Sequence, residues 1–521
     1  MKFRYSQVFG TALVVGFVLA AGISSAVQAQ QSPPAAPTGV EASLGELQSE
    51  VRELKQMVLQ LQQETSASRT EISQLRQELQ AQRAESYVAS TPGSTDNDQS
   101  RTSTSTVSSG QQLQHLEEDE QLLSGKVNEQ YQTKLESASK YRVRFSGIVL
   151  FNMFGNSGYP DNQDVPTWVL RSDPMDSPGS VGGTLRQSIL GFEVFGPNVF
   201  GARSSGNVNF DFGGGFPATY NGVNSGLVRL RTAAVRLDWK DTSVIAGQDQ
   251  LFISPQSPTS FASLIVPALS YSGNLWSWTP QLRVEHRFEF SNHSTLSLQG
   301  GVLDPLTGEP PDNFNYVWYR APDAGEESRV PAFAARVAYS HPMFGRTFTA
   351  GVGGYYSREY WGFNRNVNGY AATADWNLPL AKWFSLSGFF YRGQAIGGLG
   401  AALGRSVVYD GPLTDPATVV LPLNAVGGWA QLKYQPLPKV EFNVAFGQDN
   451  PFAADIRAFG DQSESYANPF VTRNRSAFGN VIYRPRSDLL FSLEYRRLRT
   501  FNIYNHSYEA GQLNMAMGIL F

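Results

Sequence analysis

The chain has no cysteine, so disulfides, thiolate metal sites and a lipidated cysteine anchor are all excluded. Charged residues are scarce at 17%, and a net charge of −4 is too small to mark nucleic acid as a partner. Beyond the amino-terminal apolar segment, no uninterrupted apolar run approaches the roughly 20 residues that a spanning helix requires. The five histidines are scattered, and there is no Walker loop, HExxH pair, GxSxG elbow or metal-spaced histidine pair. No catalytic site, metal or cofactor is therefore expected.

Glycine is plentiful at 49 residues, and aromatics reach 12%. With short apolar runs, that composition suits many short strands. The last ten residues show one most clearly. Leu513, Met515, Met517, Ile519 and Phe521 share one face, and Asn514, Ala516, Gly518 and Leu520 the other. An apolar strand at an open sheet edge invites aggregation, whereas a barrel has no edge because its last strand pairs with its first. The terminal Phe521 has the form of the assembly signal read by barrel-insertion machinery, which makes that machinery an expected partner.

In chain order, residues 1–29 read as a secretory signal. Lys2 and Arg4 precede a short apolar core from Val8 to Ala21, and Val27-Gln28-Ala29 is a small-x-small cleavage site. Residues 30–85 hold a Pro/Ala leader followed by heptads. Leu44, Val51, Val58, Thr65, Ile72 and Leu79 fall at a, and Leu47, Leu54, Leu61, Ser68 and Leu75 at d. Glu50, Glu64, Glu71 and Glu78 at g face Lys55, Arg69, Arg76 and Arg83 at the following e, so a parallel in-register oligomer pairs opposite charges. The alternative is a solvated amphipathic helix packed on the barrel. Residues 86–112 form a Ser/Thr-rich linker and 113–140 a short helical neck.

From 141 to 521 the period switches to two. About sixteen antiparallel strands are expected, centred on Phe145, Ile189, Asn209, Arg231, Ile245, Val284, Leu298, Ala335, Gly351, Ala371, Leu386, Ala430, Val444, Phe478, Leu493 and Met515. Connections alternate in length. Short turns such as Asp241-Thr242, Ser291-Asn292-His293, His341 to Gly345, Pro436 to Lys439 and Pro485 to Asp488 follow even strands, with a longer one at Pro197 to Ser205. Long loops such as 156–182, 254–279, 304–329 and 394–424 follow odd strands. The fold class is thus an all-β transmembrane barrel with an N-terminal periplasmic helical coiled coil. The expected location is the outer membrane of a bacterial cell, with the coiled coil in the periplasm.

In the run Gln281–Phe290, Leu282, Val284, His286, Phe288 and Phe290 face lipid or a neighbouring barrel, while Gln281, Arg283, Glu285, Arg287 and Glu289 face water. Around Arg231 the phase slips, and a bulge near Ala233-Ala234 reconciles the two halves. A barrel this wide is not filled by its side chains and encloses an aqueous channel. Its walls carry about sixteen Lys/Arg against about eight Asp/Glu, and a charge on the lipid face costs about 2–4 kcal/mol at mid-membrane. Arg144, Arg186, Arg229, Arg231, Arg283, Arg287, Arg336 and Lys433 are therefore the pore-lining candidates, a basic set suited to small anionic solutes. Mixed charges pairing among themselves are the alternative.

A cleaved signal, a coiled coil, a linker and this barrel together resemble the DcaP-like trimeric porins. Local matches are Arg186-Gln187-Ser188 leading into Gly191-Phe192, Asp211-Phe212-Gly213-Gly214, Leu230-Arg231-Thr232-Ala233 and Ala246-Gly247-Gln248. The resemblance implies a homotrimer, passage of dicarboxylates and other small anions, and a lumen role for Arg186, Arg229 and Arg231. The chain departs after Gln248, where Asp249 replaces the family's neutral or aromatic residue. The loop from Leu251 to Trp278, centred on Leu264-Ile265-Val266-Pro267, holds the position of an inward-folding constriction loop; an exposed outer loop is its other reading.

The function expected is passive diffusion of small hydrophilic solutes, anions such as dicarboxylates foremost, by a homo-oligomer embedded in outer-membrane lipid. The alternative is a structural protein tethering the outer membrane to peptidoglycan or another periplasmic partner. Deleting residues 40–85 separates the two readings. Lost oligomers in an intact envelope mark an assembly helix; a leaky envelope with unchanged conductance marks a tether.

Overall fold

The computed structural model describes residues 142–216, 226–291, 293–310, 320–458, 471–504 and 506–521. The expected signal, coiled coil, linker and neck lie outside the described residues, as do the coiled-coil positions Leu47, Val51, Leu54, Val58, Leu61, Ile72, Leu75 and Leu79.

In chain order the strands are β1 (Arg142–Ser157), β2 (Gly179–Thr184), β3 (Ile189–Val199), β4 (Ala202–Asp211), β5 (Arg229–Asp238), β6 (Thr242–Gln250), β7 (Trp278–Glu289) and β8 (Thr295–Leu303). They continue with β9 (Ala332–Met343), β10 (Arg346–Tyr360), β11 (Asn366–Pro379), β12 (Phe384–Gln394), β13 (Val407–Tyr409), β14 (Val420–Pro422), β15 (Asn424–Leu437) and β16 (Val440–Pro451). The last three are β17 (Val471–Tyr483), β18 (Leu489–Asn502) and β19 (Ser507–Leu520). Seventeen of these form one antiparallel sheet, while β13 and β14 pair apart from it. Because β2 and β3 follow one another along the same edge of β1, they make one interrupted stave, and the barrel has sixteen. Each of the sixteen expected strand centres lies on its own stave.

The ring closes where the sequence alternation is cleanest. Ile148 to Ser157 of β1 pair with Leu520 to Gly511 of β19. Along β19, Leu513, Met515, Met517 and Ile519 are exposed on the outer face, while Gln512, Asn514 and Ala516 are buried inside. Phe521 completes the seam. Its N–H donates to the Gly147 carbonyl at 3.1 Å, its own carbonyl accepts from the Gly147 N–H at 2.9 Å, and its ring lies 4.9 Å from that of Phe145. A Cβ at position 147 would stand 2.4 Å from the Ile189 carbonyl oxygen and 2.9 Å from the Phe521 ring, so glycine is required there.

The same two-faced pattern holds round the barrel. On β7, Leu282, Val284 and Phe288 are exposed and Gln281 and Arg283 are buried; on β16, Phe442, Val444 and Phe446 are exposed and Glu441 and Asn443 are buried. His286 sits among the outward residues, with its Nδ1 2.8 Å from the Thr242 hydroxyl.

Three details differ from expectation. Pro197 to Ser205 is not a longer connection, because β3 and β4 continue to a two-residue turn at Phe200-Gly201, both with positive φ (49° and 80°). That is the type I′ geometry matching the twist of paired strands, and Phe344-Gly345 repeats it. The alternation of connection length is not strict either, since residues 361–365 and 503–506 are short links on the long-loop side. The bulge on β5 is at Arg231 rather than Ala233-Ala234: Phe210 pairs with Leu230 and Asn209 with Thr232, leaving Arg231 as the extra residue.

Replacing Phe521 by alanine keeps its backbone bonds and removes the ring that seals this seam. The expected loss is about 2 kcal/mol of barrel stability, measured as a lower denaturant midpoint in lipid vesicles.

Candidate functional site

After β6 the chain does not leave the barrel. Residues 251–277 cross its interior and are held by side chains of the inner wall. The Asn152 amide donates to the Phe261 carbonyl at 2.8 Å, and Gln187 donates to Ala262 O while accepting from Leu264 N–H at 2.7 Å. Farther round, Gln431 accepts from Thr259 N–H, Asn480 donates to Thr259 O, and Asn474 donates to Tyr271 O. The Thr373 hydroxyl donates to Ile253 O, and the Ser260 hydroxyl to the Glu494 carboxylate at 2.6 Å. A segment without a ladder of its own must find partners for its buried N–H and C=O groups, and wall Asn, Gln and Thr provide them.

This loop fills one side of the interior. Leu251, Phe252, Ile253, Leu269 and Leu275 pack with Ile396, Leu399 and Val408 of a second inward segment against Tyr355, Phe389, Tyr391 and Trp429 of the wall. Tyr271 lies between Trp168 and Trp276, and burial pushes its phenol up to about 12, so it stays neutral. The lumen is therefore not the unfilled channel expected from barrel width. The open part lies along β3 to β6, where Ser146, Glu193, Ser205, Asn207, Asn209, Arg236 and Asp249 line a cavity of about 340 Å³. A second cavity of about 350 Å³ lies inside the curl of the loop, lined by Arg231, Gln250, Leu264, Trp276 and Trp278.

Arg229 and Arg231 bind the loop to the wall. Both share the buried carboxylate of Asp211: Arg229 donates to its two oxygens at 3.1 and 2.7 Å, and Arg231 donates at 3.1 Å. Each also donates to a loop carbonyl, Arg229 to Ile265 O and Arg231 to Leu264 O. Their guanidiniums lie 4.8 and 4.5 Å from the centre of the Trp278 ring. Local backbone features make this possible. The bulge turns Arg231 inward beside Thr232, and the Gln248 amide donates to the Leu230 and Arg231 carbonyls, substituting for ladder bonds. A side chain at Gly213 would collide with Ile265 at 2.6 Å and Arg229 at 2.8 Å. Gly247, with φ of +142°, lets β6 approach within a distance that a Cβ would close to 2.2 Å from the Ala233 carbonyl oxygen.

The other candidates divide into groups. Arg186, in the break between β2 and β3, makes a two-pronged bond to Asp164 at 2.9 Å for each prong. Arg283 donates to Asp249 at 2.8 Å and to Glu285 at 2.9 Å, which places Asp249 in the ion-pair network of this wall. Arg287 donates to the Ser243 hydroxyl at 3.4 Å and adds its charge beside Asp238. Arg336 on β9, a quarter of the way round from β5, is buried with Asp375 at 2.7 Å, and Lys433 on β15, half way round, pairs with Glu441 at 3.0 Å. Arg144 is largely exposed, 3.7 Å from Glu193 near the start of β1. In the loop, Leu264 and Ile265 carry the carbonyls that meet the arginines, whereas Val266 accepts from the Ser263 hydroxyl at 3.0 Å. Asp211 as the shared carboxylate, Arg236, Trp278 and the wall residues Asn152, Gln187, Gln431, Asn474 and Asn480 are absent from the sequence-derived set. The signal for the last group is an amide side chain at an inward strand position.

A sixteen-stranded antiparallel barrel whose loop after the fifth stave folds inward over a charged wall has the architecture of a porin. No family model and no curated protein matches the chain. Among solved structures it is similar to the outer membrane channel DcaP of Acinetobacter baumannii, at 16% identity and a TM-score of 0.54 over 74% of this chain and 99% of that one. It is also similar to an anion-selective porin from Comamonas acidovorans (11% identity, TM-score 0.46, 73% and 100% covered) and to Salmonella typhi OmpF (11%, 0.42, 73% and 98%). The DcaP match establishes the fold; at this identity it carries nothing further, and the two lower scores carry no argument.

Asp211→Asn removes one negative charge between two guanidiniums. At about 6 Å in water-filled surroundings one charge is worth about 0.7 kcal/mol, about threefold in favour of chloride and about threefold against potassium, so the chloride-to-potassium permeability ratio should rise about tenfold in bilayer recordings.

Proposed function

We propose that the chain is an outer-membrane porin that passes small hydrophilic solutes down their gradient, with preference for anions such as dicarboxylates. The observation that carries this reading is the stoichiometry at the inward loop, where Arg229 and Arg231 share one carboxylate, Asp211. That cluster keeps one positive charge beside the cavity that Arg231 lines with Leu264, Trp276 and Trp278. Elsewhere on the open wall, Arg236, Arg283 and Arg287 stand with Asp238, Asp249 and Glu285, three cations with three carboxylates. Selectivity then arises at one level of the pore rather than along its length. A guanidinium pair spaced on one strand suits a carboxylate, which each can hold by paired hydrogen bonds. Transport is passive and uses no cofactor.

The alternation of apolar outward and polar inward residues supports the membrane placement, and the heptads over residues 44–79 support a parallel homo-oligomer with its coiled coil in the periplasm, while its being a trimer rests on the resemblance to the DcaP-like porins.

The test is the reversal potential of the purified protein in a planar bilayer under a potassium chloride gradient. A potential on the chloride side, current block by succinate, and loss of both in Arg229→Ser/Arg231→Ser are the expected results. Cation preference in the wild-type protein contradicts the reading.

A further inference from the structure

A second basic cluster lies on the outside of the barrel. On β17 the buried residues Asn474, Ser476, Phe478 and Asn480 face inward, which places Arg473 and Arg475 outward with Ala477 and Val481. On β18, Arg497 and Arg499 continue the outward row of Phe491, Leu493 and Tyr495. Arg475 stands directly opposite Arg499 across the ladder, and Arg473 opposite Phe501. The Phe501 ring is approached by three guanidiniums, those of Arg499 at 4.8 Å, Arg475 at 5.3 Å and Arg473 at 5.4 Å. Among the described residues one carboxylate answers these four cations: Glu509, 2.6 Å from Arg497 and 3.2 Å from Arg499. Arg473 and Arg475 instead donate to the neutral amides of Asn450 and Gln448.

The position of the cluster matters as much as its charge. Leu513, Met515, Met517 and Ile519 on β19 and Phe491 and Leu493 on β18 form an exposed apolar band that ends at Tyr495. The arginines begin with the next outward residue, at the end of the barrel away from Phe521. Long loops also leave from that end, which is the outer side of an outer-membrane barrel. Like charges placed directly opposite one another across a ladder are destabilising, so an anion seated between Arg475 and Arg499 relieves a cost the fold otherwise carries.

We infer that Arg473, Arg475, Arg497 and Arg499 form a binding site for the phosphorylated sugar headgroup of an outer-leaflet glycolipid, whose acyl chains lie on Tyr495, Leu493 and Leu513. The guanidinium fork matches phosphate oxygens, and the aromatic and apolar residues below match the chains. The inference rests on the outer-membrane placement proposed above, but not on what the pore passes.

The test uses the full-length protein in phosphatidylcholine vesicles containing bisphosphorylated lipid A, with phosphatidylglycerol vesicles as the control. Lipid A retained through detergent extraction and repurification is measured for wild type, Arg475→Ser/Arg497→Ser/Arg499→Ser and Glu509→Gln. The triple variant should retain about tenfold less, and Glu509→Gln, which removes the competing carboxylate, at least as much as wild type. Bilayer conductance should be unchanged in both, which reads the pore separately from the lipid site. Equal retention in all three proteins, or equal retention of phosphatidylglycerol, overturns the site. Loss of oligomers in the triple variant with lipid A retention unchanged assigns the cluster to a second copy of the chain and also overturns it.

Discussion

A loop that enters a barrel brings N–H and C=O groups into a space where strands have already used their own. Each group left without a partner costs the desolvation of a buried polar atom, about 1–3 kcal/mol. The interior here meets that constraint with side-chain amides. Asn152, Gln187, Gln431, Asn474 and Asn480 are all buried, are spread over four staves with Asn474 and Asn480 both on β17, and each bonds to backbone of residues 259–271. Once the loop is held, the rest follows. Its apolar residues cover Phe389, Tyr391 and Trp429 on one side, its carbonyls meet Arg229 and Arg231 on the other, and water is left the strip along β3 to β6.

The charges of the wall obey a second constraint. Guanidiniums inside a narrowed lumen lose part of their hydration, and most here recover it from a carboxylate within 3.1 Å, as in Arg186–Asp164, Arg283–Asp249 and Arg336–Asp375. Paired charges orient side chains and shape the lumen without giving it a sign. Asp211 is drawn on by two arginines, as Glu441 is by Lys433 at 3.0 Å and Arg484 at 3.6 Å, but Asp211 is the one of the two that lies beside the inward loop. Beside the inward loop the two guanidiniums on Asp211 leave one positive charge over, while Arg287 adds its charge to a wall where Arg236 and Arg283 already face Asp238, Asp249 and Glu285.

The staves were legible in the sequence because a wall between lipid and water imposes a period of two on every strand, and sixteen repetitions of that signal leave little freedom. The arginines of β5 and β7 were legible for the same reason: a charge on the lipid face is too costly. The bulge was located two residues late because Ala233 and Ala234 are too small to declare a face, so the slip of phase fits anywhere between Arg231 and Val235. The inward path of the loop was only half legible. Its apolar centre indicated a wall to pack on, but the amides that hold it come from staves as far as 221 residues away, and spacing does not pair Asn480 with Thr259. Asp211 was visible in the Asp211-Phe212-Gly213-Gly214 match, yet its sharing between two arginines depends on the bulge.

The central claim is that water crosses the barrel beside β3 to β6 and is excluded where the loop packs against β9 to β17. The absence of native cysteine provides a silent background for testing it. Single cysteines at Asn207, on the open wall, and at Ala445, an inward residue of β16 beneath the loop, are exposed to a charged, water-soluble methanethiosulfonate during bilayer recording. The account predicts rapid labelling and a drop in conductance for Asn207→Cys, and no labelling of folded Ala445→Cys. Comparable reaction at both positions, or block through position 445 alone, would contradict it.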